Sequence, residues 1–323
     1  VRIAVIGAGA TGMLASILLC DAGEEVFVYE LRQERVSDIA KNGIRARGDF
    51  SGTAFPAVAR IGEPVAPYDA IVLASGTNES GDALRPLSPF VHRDTVYISL
   101  QEGGAVSSLA GLVGEERAFA ALAWVSAFEA PDGVVEVEAF RALTLGAALP
   151  GRESELARLV DAVEDAHPGR ISLTGDLYGE IWKRVEGAAA VSGLCAISSK
   201  MPLEARASEI LDDLCEQAAT ECRQAAESSG RTESIPASPW DSALWRKVKP
   251  PMLRDVEAGR RTEIDCLSGW IVEKARAKGI AVPVHSSILT LVKEVESGRH
   301  RPGEAALREL QRRISEEKGM SLL

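Results

Sequence analysis

The first thirty residues constrain this chain more than any other stretch. Residues 1–7 read VRIAVIG, an apolar β-branched run that closes on a glycine. Gly7-Ala8-Gly9-Ala10-Thr11-Gly12 follows, then an apolar helical stretch from Met13 to Cys20 and a second strand, Glu25–Glu30 (EVFVYE). Strand, glycine turn, helix and strand in this order make a Rossmann-type βαβ unit. Gly7 permits the tight turn, Gly9 lets the backbone approach a pyrophosphate, and Gly12 lets the helix pack against the strand. The helix start at Ala10 and Thr11 offers free N–H groups and a positive dipole end to phosphates. Glu30, at the end of the second strand, stands where an acid accepts from a ribose 2′-hydroxyl.

With 323 residues there is room for two domains of ordinary size. Mean hydropathy is +0.01 and no run of about 18 apolar residues occurs, so no membrane partner is expected. The chain opens directly on a strand, so no secretory leader is expected and the cytoplasm is the expected compartment. Net charge is −11. Nucleic acid is not an expected partner, because the basic clusters, such as Arg246-Lys247-Val248-Lys249, are short and read as solvated faces. Cys20, Cys195, Cys215, Cys222 and Cys266 lack metal-ligand spacing and read as buried thiols. His92, His167, His285 and His300 form no HxxxH pair, so no metal site is expected. His285 reads as a satisfied surface or interface histidine.

Further along, Gln33–Asn42 reads as a helix, Gly43–Arg47 as a strand, and Thr53–Ile61 as another that can pair with it as a hairpin. Asp69–Ser75 (DAIVLAS) and Thr95–Leu100 (TVYISL) are continuous apolar runs, the mark of strands covered on both faces. A helix is predicted between them, to about Val91. In an open α/β sheet, ligands lie beyond the carboxyl ends of the strands. The loops Gly7–Gly12, Gly76–Ser80 and Gln101–Gly104 are therefore expected to converge, adding Ser75, Gly76 and Gln101 to the cofactor-binding set. Two strands joined by Ala130-Pro131-Asp132-Gly133 are predicted over Ala118–Gly146, then a helix over Glu153–Ala166 and a strand at Ile171–Leu173. Beyond Asp176 only helical spacing remains: Tyr178–Ser199, Leu203–Ser229, Pro251–Ala258, Glu263–Lys278 and Ser286–Glu296. Gly230–Lys249 is a Ser/Pro-rich break carrying Trp240 and Trp245. These two, with Trp182 and Trp270, read as core or cleft-lining residues. The expected organisation is an α/β Rossmann domain over residues 1–175 and an all-α domain over residues 176–323.

The N-terminal GAGATG, EIWKR at Glu180–Arg184, MLRDVEAGRRTEID at Met252–Asp265 and GIAVPV at Gly279–Val284 together resemble the ketopantoate reductase family. The resemblance implies an NADP-type Rossmann domain, a helical second domain that often mediates a homodimer, and an active site in a cleft between them. It also implies hydride delivery to the ketone of a 2-oxo acid. Carried over residue by residue, the family's catalytic lysine falls on Arg184, beside Lys183, and its cleft asparagine on Glu102. A serine before MLRD becomes Pro251, and a lysine near the cofactor becomes Gly76. Two asparagines become Ala188 and Ser192. The glutamate is kept, as Glu263. The resemblance places arginine near the end of the second strand, within reach of Arg32 and Arg35, and so implies NADP(H), whereas Glu30 favours NAD(H).

These substitutions point away from ketopantoate as the substrate. Hydride transfer to a carbonyl needs a proton donor for the alkoxide, which a lysine of lowered pKa supplies and an arginine does not. Arg184 can clamp a carboxylate or steady an oxyanion. Glu102 and Glu263 then face a polar or cationic part of the substrate, or act as general acid or base, with Lys183 as a reserve donor. The expected function is reduction by NAD(P)H of a small 2-oxo or imino acid. Two other readings stand beside it: a redox-inactive homologue that binds a nucleotide or metabolite, and a non-redox acid–base enzyme using Glu102 and Glu263. Glu102 as an exposed loop acid, Glu263 as a helix-start acid and Arg184 paired with Glu180 are the purely structural alternatives.

Overall fold

The computed structural model describes residues 1–60, 67–231 and 249–320. Contacts divide the chain into two units, Val1–Gln101 with Ala105–Tyr178, and Glu102–Gly104 with Gly179–Leu323.

The first unit is a ten-stranded mixed sheet with helices. Its strands are β1 (Arg2–Ile6), β2 (Glu25–Glu30), β3 (Ile44–Gly48), β4 (Gly52–Ala54), β5 (Ala57–Arg60), β6 (Tyr68–Leu73), β7 (Val91–Ser99), β8 (Ala118–Glu129), β9 (Val135–Ala147) and β10 (Ile171–Leu173). The order is β4-β3-β9-β8-β7-β6-β1-β2-β5, with β10 beside β9. Strands β7, β6, β1, β2 and β5 run parallel, which follows from their apolar, β-branched runs and needs cover on both faces. Helix α1 (Ala10–Asp21) is apolar on nearly every side and lies buried in the core with Ile3, Val5, Val72 and Phe119. Helices α2 (Gln33–Asn42), α3 (Ser80–Leu84), α4 (Ala105–Val113) and α5 (Ala157–Ala166) complete this unit.

Two expectations here need correction. Thr53–Ile61 is not one strand. Pro56 lacks a ladder donor and divides it into β4, which pairs antiparallel with β3, and β5, which pairs parallel with β2 on the opposite edge. Ile61 lies outside the described residues. The helix predicted to reach Val91 stops at Leu84, because Pro86 and Pro89 turn Arg85–Phe90 into tighter 3-10 turns.

The second unit is helical: α6 (Leu177–Ser198, whose first two residues belong to the other unit), α7 (Pro202–Arg206), α8 (Glu209–Ser228), α9 (Pro251–Glu257), α10 (Ser268–Ala277), α11 (Pro283–Glu296) and α12 (Glu304–Met320). The single helix expected over Leu203–Ser229 breaks at Ala207–Ser208. Glu263 precedes a 3-10 turn, and α10 starts only at Ser268. Pro283 occupies the first helical position of α11, where its missing N–H costs nothing. The next two donors, Val284 N and His285 N, go to the Glu221 carboxylate on α8 at 2.9 and 3.0 Å. Trp240, Trp245 and the cluster at Arg246–Val248 lie outside the described residues. Among the described residues no helix is long and apolar enough to cross a membrane.

Candidate functional site

Within the first unit, β7, β6 and β1 are adjacent and parallel, so their following loops emerge on one edge of the sheet. Gly7 has φ +104°, and a Cβ there would lie 2.7 Å from Ser75 N. A Cβ on Gly12 would lie 2.1 Å from Gly7 O. Both glycines are therefore demanded by the fold itself. Gly9 is different: nothing lies within 4 Å of its would-be Cβ, its φ of −73° suits any residue, and no side chain caps α1. An open cradle at an uncapped helix N-terminus fits the pyrophosphate of a dinucleotide. The Ser75 hydroxyl, buried and without a hydrogen-bond partner, lies at the end of β6, and Gly76 beside it is open.

Glu30 is nearly buried, and its charge is fully engaged. One oxygen accepts from Leu31 N at 2.8 Å and Arg32 N at 3.0 Å; the other accepts from Arg32 Nη2 at 3.0 Å and Ala8 N at 3.3 Å. Burial works against the carboxylate, but the Arg32 guanidinium and these N–H groups outweigh it and hold the carboxyl below its ordinary range. Arg32 remains half exposed. Arg35 does not share this position. It is buried and bonded to Gly133 O at 3.1 Å and Glu129 at 3.3 Å, which commits it to the fold. The Gln101 side chain is likewise taken up, donating to Ser75 O at 2.8 Å and Ser80 Oγ at 2.9 Å.

In the second unit, Glu102 is fixed by the two glycines after it. Gly103 has φ +62° and sits where a Cβ would lie 2.1 Å from Cys266 O. Gly104 donates to Cys266 O at 2.8 Å, and a Cβ on it would fall 2.0 Å from the Trp270 ring. Trp270 in turn packs on Trp182 of α6, centroids 4.4 Å apart. Two residues on from Trp182, Arg184 donates to Glu102 Oε1 at 2.6 Å, while Glu102 Oε2 is buried without a hydrogen-bond partner. Glu102 is therefore not a free loop acid. Arg184 takes Glu102 as partner, and Glu180 pairs with Lys183 at 2.9 Å instead.

One small cavity is lined by Glu102, Ala188, Ser192, Pro251 and Glu263, with Met252, Asp255 and Leu267. Five of these are positions that the resemblance singled out, brought together from the Glu102–Gly104 loop, α6, the α9 start and the loop before α10. Asp255, which sequence reasoning missed, is bonded to Arg260 at 2.6 Å. Lys183 is not on this wall. His285 corrects another expectation: it is fully buried, with Nε2 on Ala218 O at 2.8 Å and Nδ1 by Ser268 Oγ at 3.2 Å, and burial pushes it down to about 4. Glu186, two residues before Ala188 on α6, is also buried. It is pushed up to about 7 by that burial, against Arg223 at 2.8 Å. Among the described residues no cluster of His, Cys, Asp or Glu could hold a metal ion.

An α/β unit opening on a glycine cradle, followed by an all-helical unit, is the build of a dinucleotide-dependent dehydrogenase. The chain belongs to the ketopantoate reductase family of oxidoreductases: the family model "Ketopantoate reductase PanE/ApbA" matches residues 3–150, and "Ketopantoate reductase PanE/ApbA C terminal" matches residues 176–296. The 2-dehydropantoate 2-reductase of Pyrococcus horikoshii is 27% identical over 300 residues, covering 92% of this chain and 98% of its own. An uncharacterized oxidoreductase of Bacillus subtilis, YkpB, is 23% identical over 303 residues, 88% of this chain and 95% of its own. Among solved structures, D-mandelate dehydrogenase with NADH and anilino(oxo)acetate shares the fold, with TM-score 0.80 and 21% identity, covering 92% of this chain and 99% of that one.

Proposed function

We propose that this chain reduces a small 2-oxo or imino acid other than ketopantoate, with NAD(P)H. The observation that carries the reading is the cavity of the helical unit, where Glu102, Ala188, Ser192 and Pro251 replace the polar set that the family resemblance implies. A dihydronicotinamide, when bound, supplies the hydride. Arg184 binds the substrate carboxylate or steadies charge growing on the carbonyl oxygen, since a guanidinium offers paired donors and keeps its proton. Glu263 and Glu102 orient the remainder of the substrate. Gly9 and the start of α1 hold the pyrophosphate. For the adenosine ribose, the ionised Glu30 favours a 2′-hydroxyl, because a 2′-phosphate at Arg32 would have to displace the Glu30 pair and face its carboxylate. NAD(H) is therefore the preferred form, in line with the NADH held by the D-mandelate dehydrogenase structure.

The test is oxidation of NADH and NADPH at 340 nm with a panel of 2-oxo and imino acids, ketopantoate included. Turnover of a panel member with ketopantoate inert is expected, and Arg184→Ala should weaken substrate binding by roughly 2–5 kcal/mol. Oxidation of neither dinucleotide by any member contradicts the reading, and an unchanged Michaelis constant in Arg184→Ala removes its role as clamp.

A further inference from the structure

A residue distant in sequence stands at the ribose end of the proposed dinucleotide site. Strand β8 pairs with β7 only over Ala118–Ala120, then runs on beside β9 as far as Glu129, opposite Val135. The turn beyond it closes with Ala130 N on Val134 O and Gly133 N on Ala130 O, each at 2.9 Å. Gly133 O accepts from Arg35 Nη1 of α2 at 3.1 Å, which ties the tip of this hairpin to the helix that follows β2. Glu129 is thereby delivered next to Arg32, two residues past Glu30.

Two guanidiniums face the Glu129 carboxylate. Arg35 Nη1 stands 3.3 Å from Oε1, and Arg32 Nη2 stands 3.8 Å from Oε2. The Arg35 side chain is only 6% exposed and is held besides by Asp38 at 3.4 Å, so Glu129 rests on a cation fixed in the fold. An ion pair between two mobile surface side chains contributes little, but a carboxylate already braced has less freedom to lose. Arg32 is 53% exposed and already donates to Glu30 at 3.0 Å. It is the cation a 2′-phosphate would seek, and Glu129 is a second carboxylate on it. The Arg32 guanidinium holds its proton more firmly than usual, first through the bond to Glu30 and further through the charges of Glu129 and Glu34. A 2′-phosphate brings up to about two negative charges and would meet both carboxylates there. A 2′-hydroxyl brings none.

We infer that Glu129 is a positioning residue for cofactor choice: braced by Arg35, it keeps the Arg32 guanidinium engaged beside Glu30 and so withholds it from a 2′-phosphate. This rests on the reading that the chain binds a dinucleotide with its ribose at Glu30 and prefers NAD(H). The experiment titrates NADH and NADPH, by nicotinamide fluorescence at low salt, into wild type, Glu129→Gln and the double variant Arg35→Met/Glu129→Gln. The double variant removes the buried guanidinium together with its partner, so no buried charge is stranded. Melting curves are recorded for each protein. The ratio Kd(NADPH)/Kd(NADH) should fall about threefold or more in both variants, chiefly through tighter NADPH. Adding Arg32→Gln should cancel that gain. A residue that merely fastened the hairpin to α2 would weaken both dinucleotides alike and leave the ratio where it was. A ratio unmoved in variants that still bind NADH, or a gain that survives Arg32→Gln, overturns the inference and leaves the NAD(H) preference standing. Wild type that binds NADPH as tightly as NADH, or binds neither, overturns both.

Discussion

Gly9 and Gly12 sit three residues apart in one turn and are glycines for opposite reasons. At Gly12 the fold forbids a side chain, since a Cβ would lie 2.1 Å from Gly7 O; at Gly9 the space is empty on the protein's side. Gly12→Ala should therefore destabilise the protein by about 1–3 kcal/mol or more through overpacking. Gly9→Ala should leave unfolding within about 0.5 kcal/mol of wild type while weakening dinucleotide binding. Denaturant titration beside nicotinamide fluorescence checks both. Glu186 makes a separate prediction. Burial raises its carboxyl from 4.5 to about 7, so the folded state holds a proton there that the unfolded chain has lost. Its stabilising effect is complete below pH 4.5 and gone above 7, a change of about 3 kcal/mol. Between pH 5 and 8 wild type should lose roughly 2–3 kcal/mol more stability than Glu186→Gln; parallel pH profiles would contradict this. Glu102 and Glu263, which both line the helical cavity, could be picked out from motif positions alone. Glu186 and Asp255 were not, because a lone carboxylate on a helix carries no sign in sequence of which face it occupies.

At the scale of elements, the Gly103–Gly104 turn is the device that aims Glu102. Adding one methyl at Gly104 would place carbon 2.0 Å from the Trp270 ring, which is braced by Trp182. Gly104→Ala is accordingly expected to lower the melting temperature by several degrees and raise KM by tenfold or more, with dinucleotide affinity unchanged; steady-state kinetics and thermal melts test this. The buried parallel strands could be read from apolar runs, since burial on both faces leaves little room for polar residues. Helix α12 could not. Its buried stripe is only Ala306, Leu307, Leu310 and Ile314, set in a segment dominated by Glu, Arg and Gln. The tighter turns at Arg85–Phe90 were missed because apolar spacing outweighed two prolines in the reading, whereas in the chain the prolines win.

At the scale of the whole molecule, the candidate site features divide between the two units. The sheet unit has the cradle at Gly9, and the helical unit has the Arg184–Glu102 pair and the small cavity that Glu102 lines. The order of the parts was legible in the sequence because glycine turns and helical spacing are local signals. The partners of Arg184, Lys183 and Glu30 were not, because they depend on which loops meet in space. Everything proposed for the helical cavity presupposes that a dinucleotide rests on the opening turn. The most direct measurement is a nicotinamide fluorescence titration of wild type and Gly9→Asp with NADH and NADPH, each protein's melting curve recorded alongside. The account predicts saturable binding by wild type, tighter for NADH than for NADPH, and none by a Gly9→Asp protein that melts as wild type does. Undiminished binding by that variant, or no binding of either dinucleotide by wild type, would contradict it.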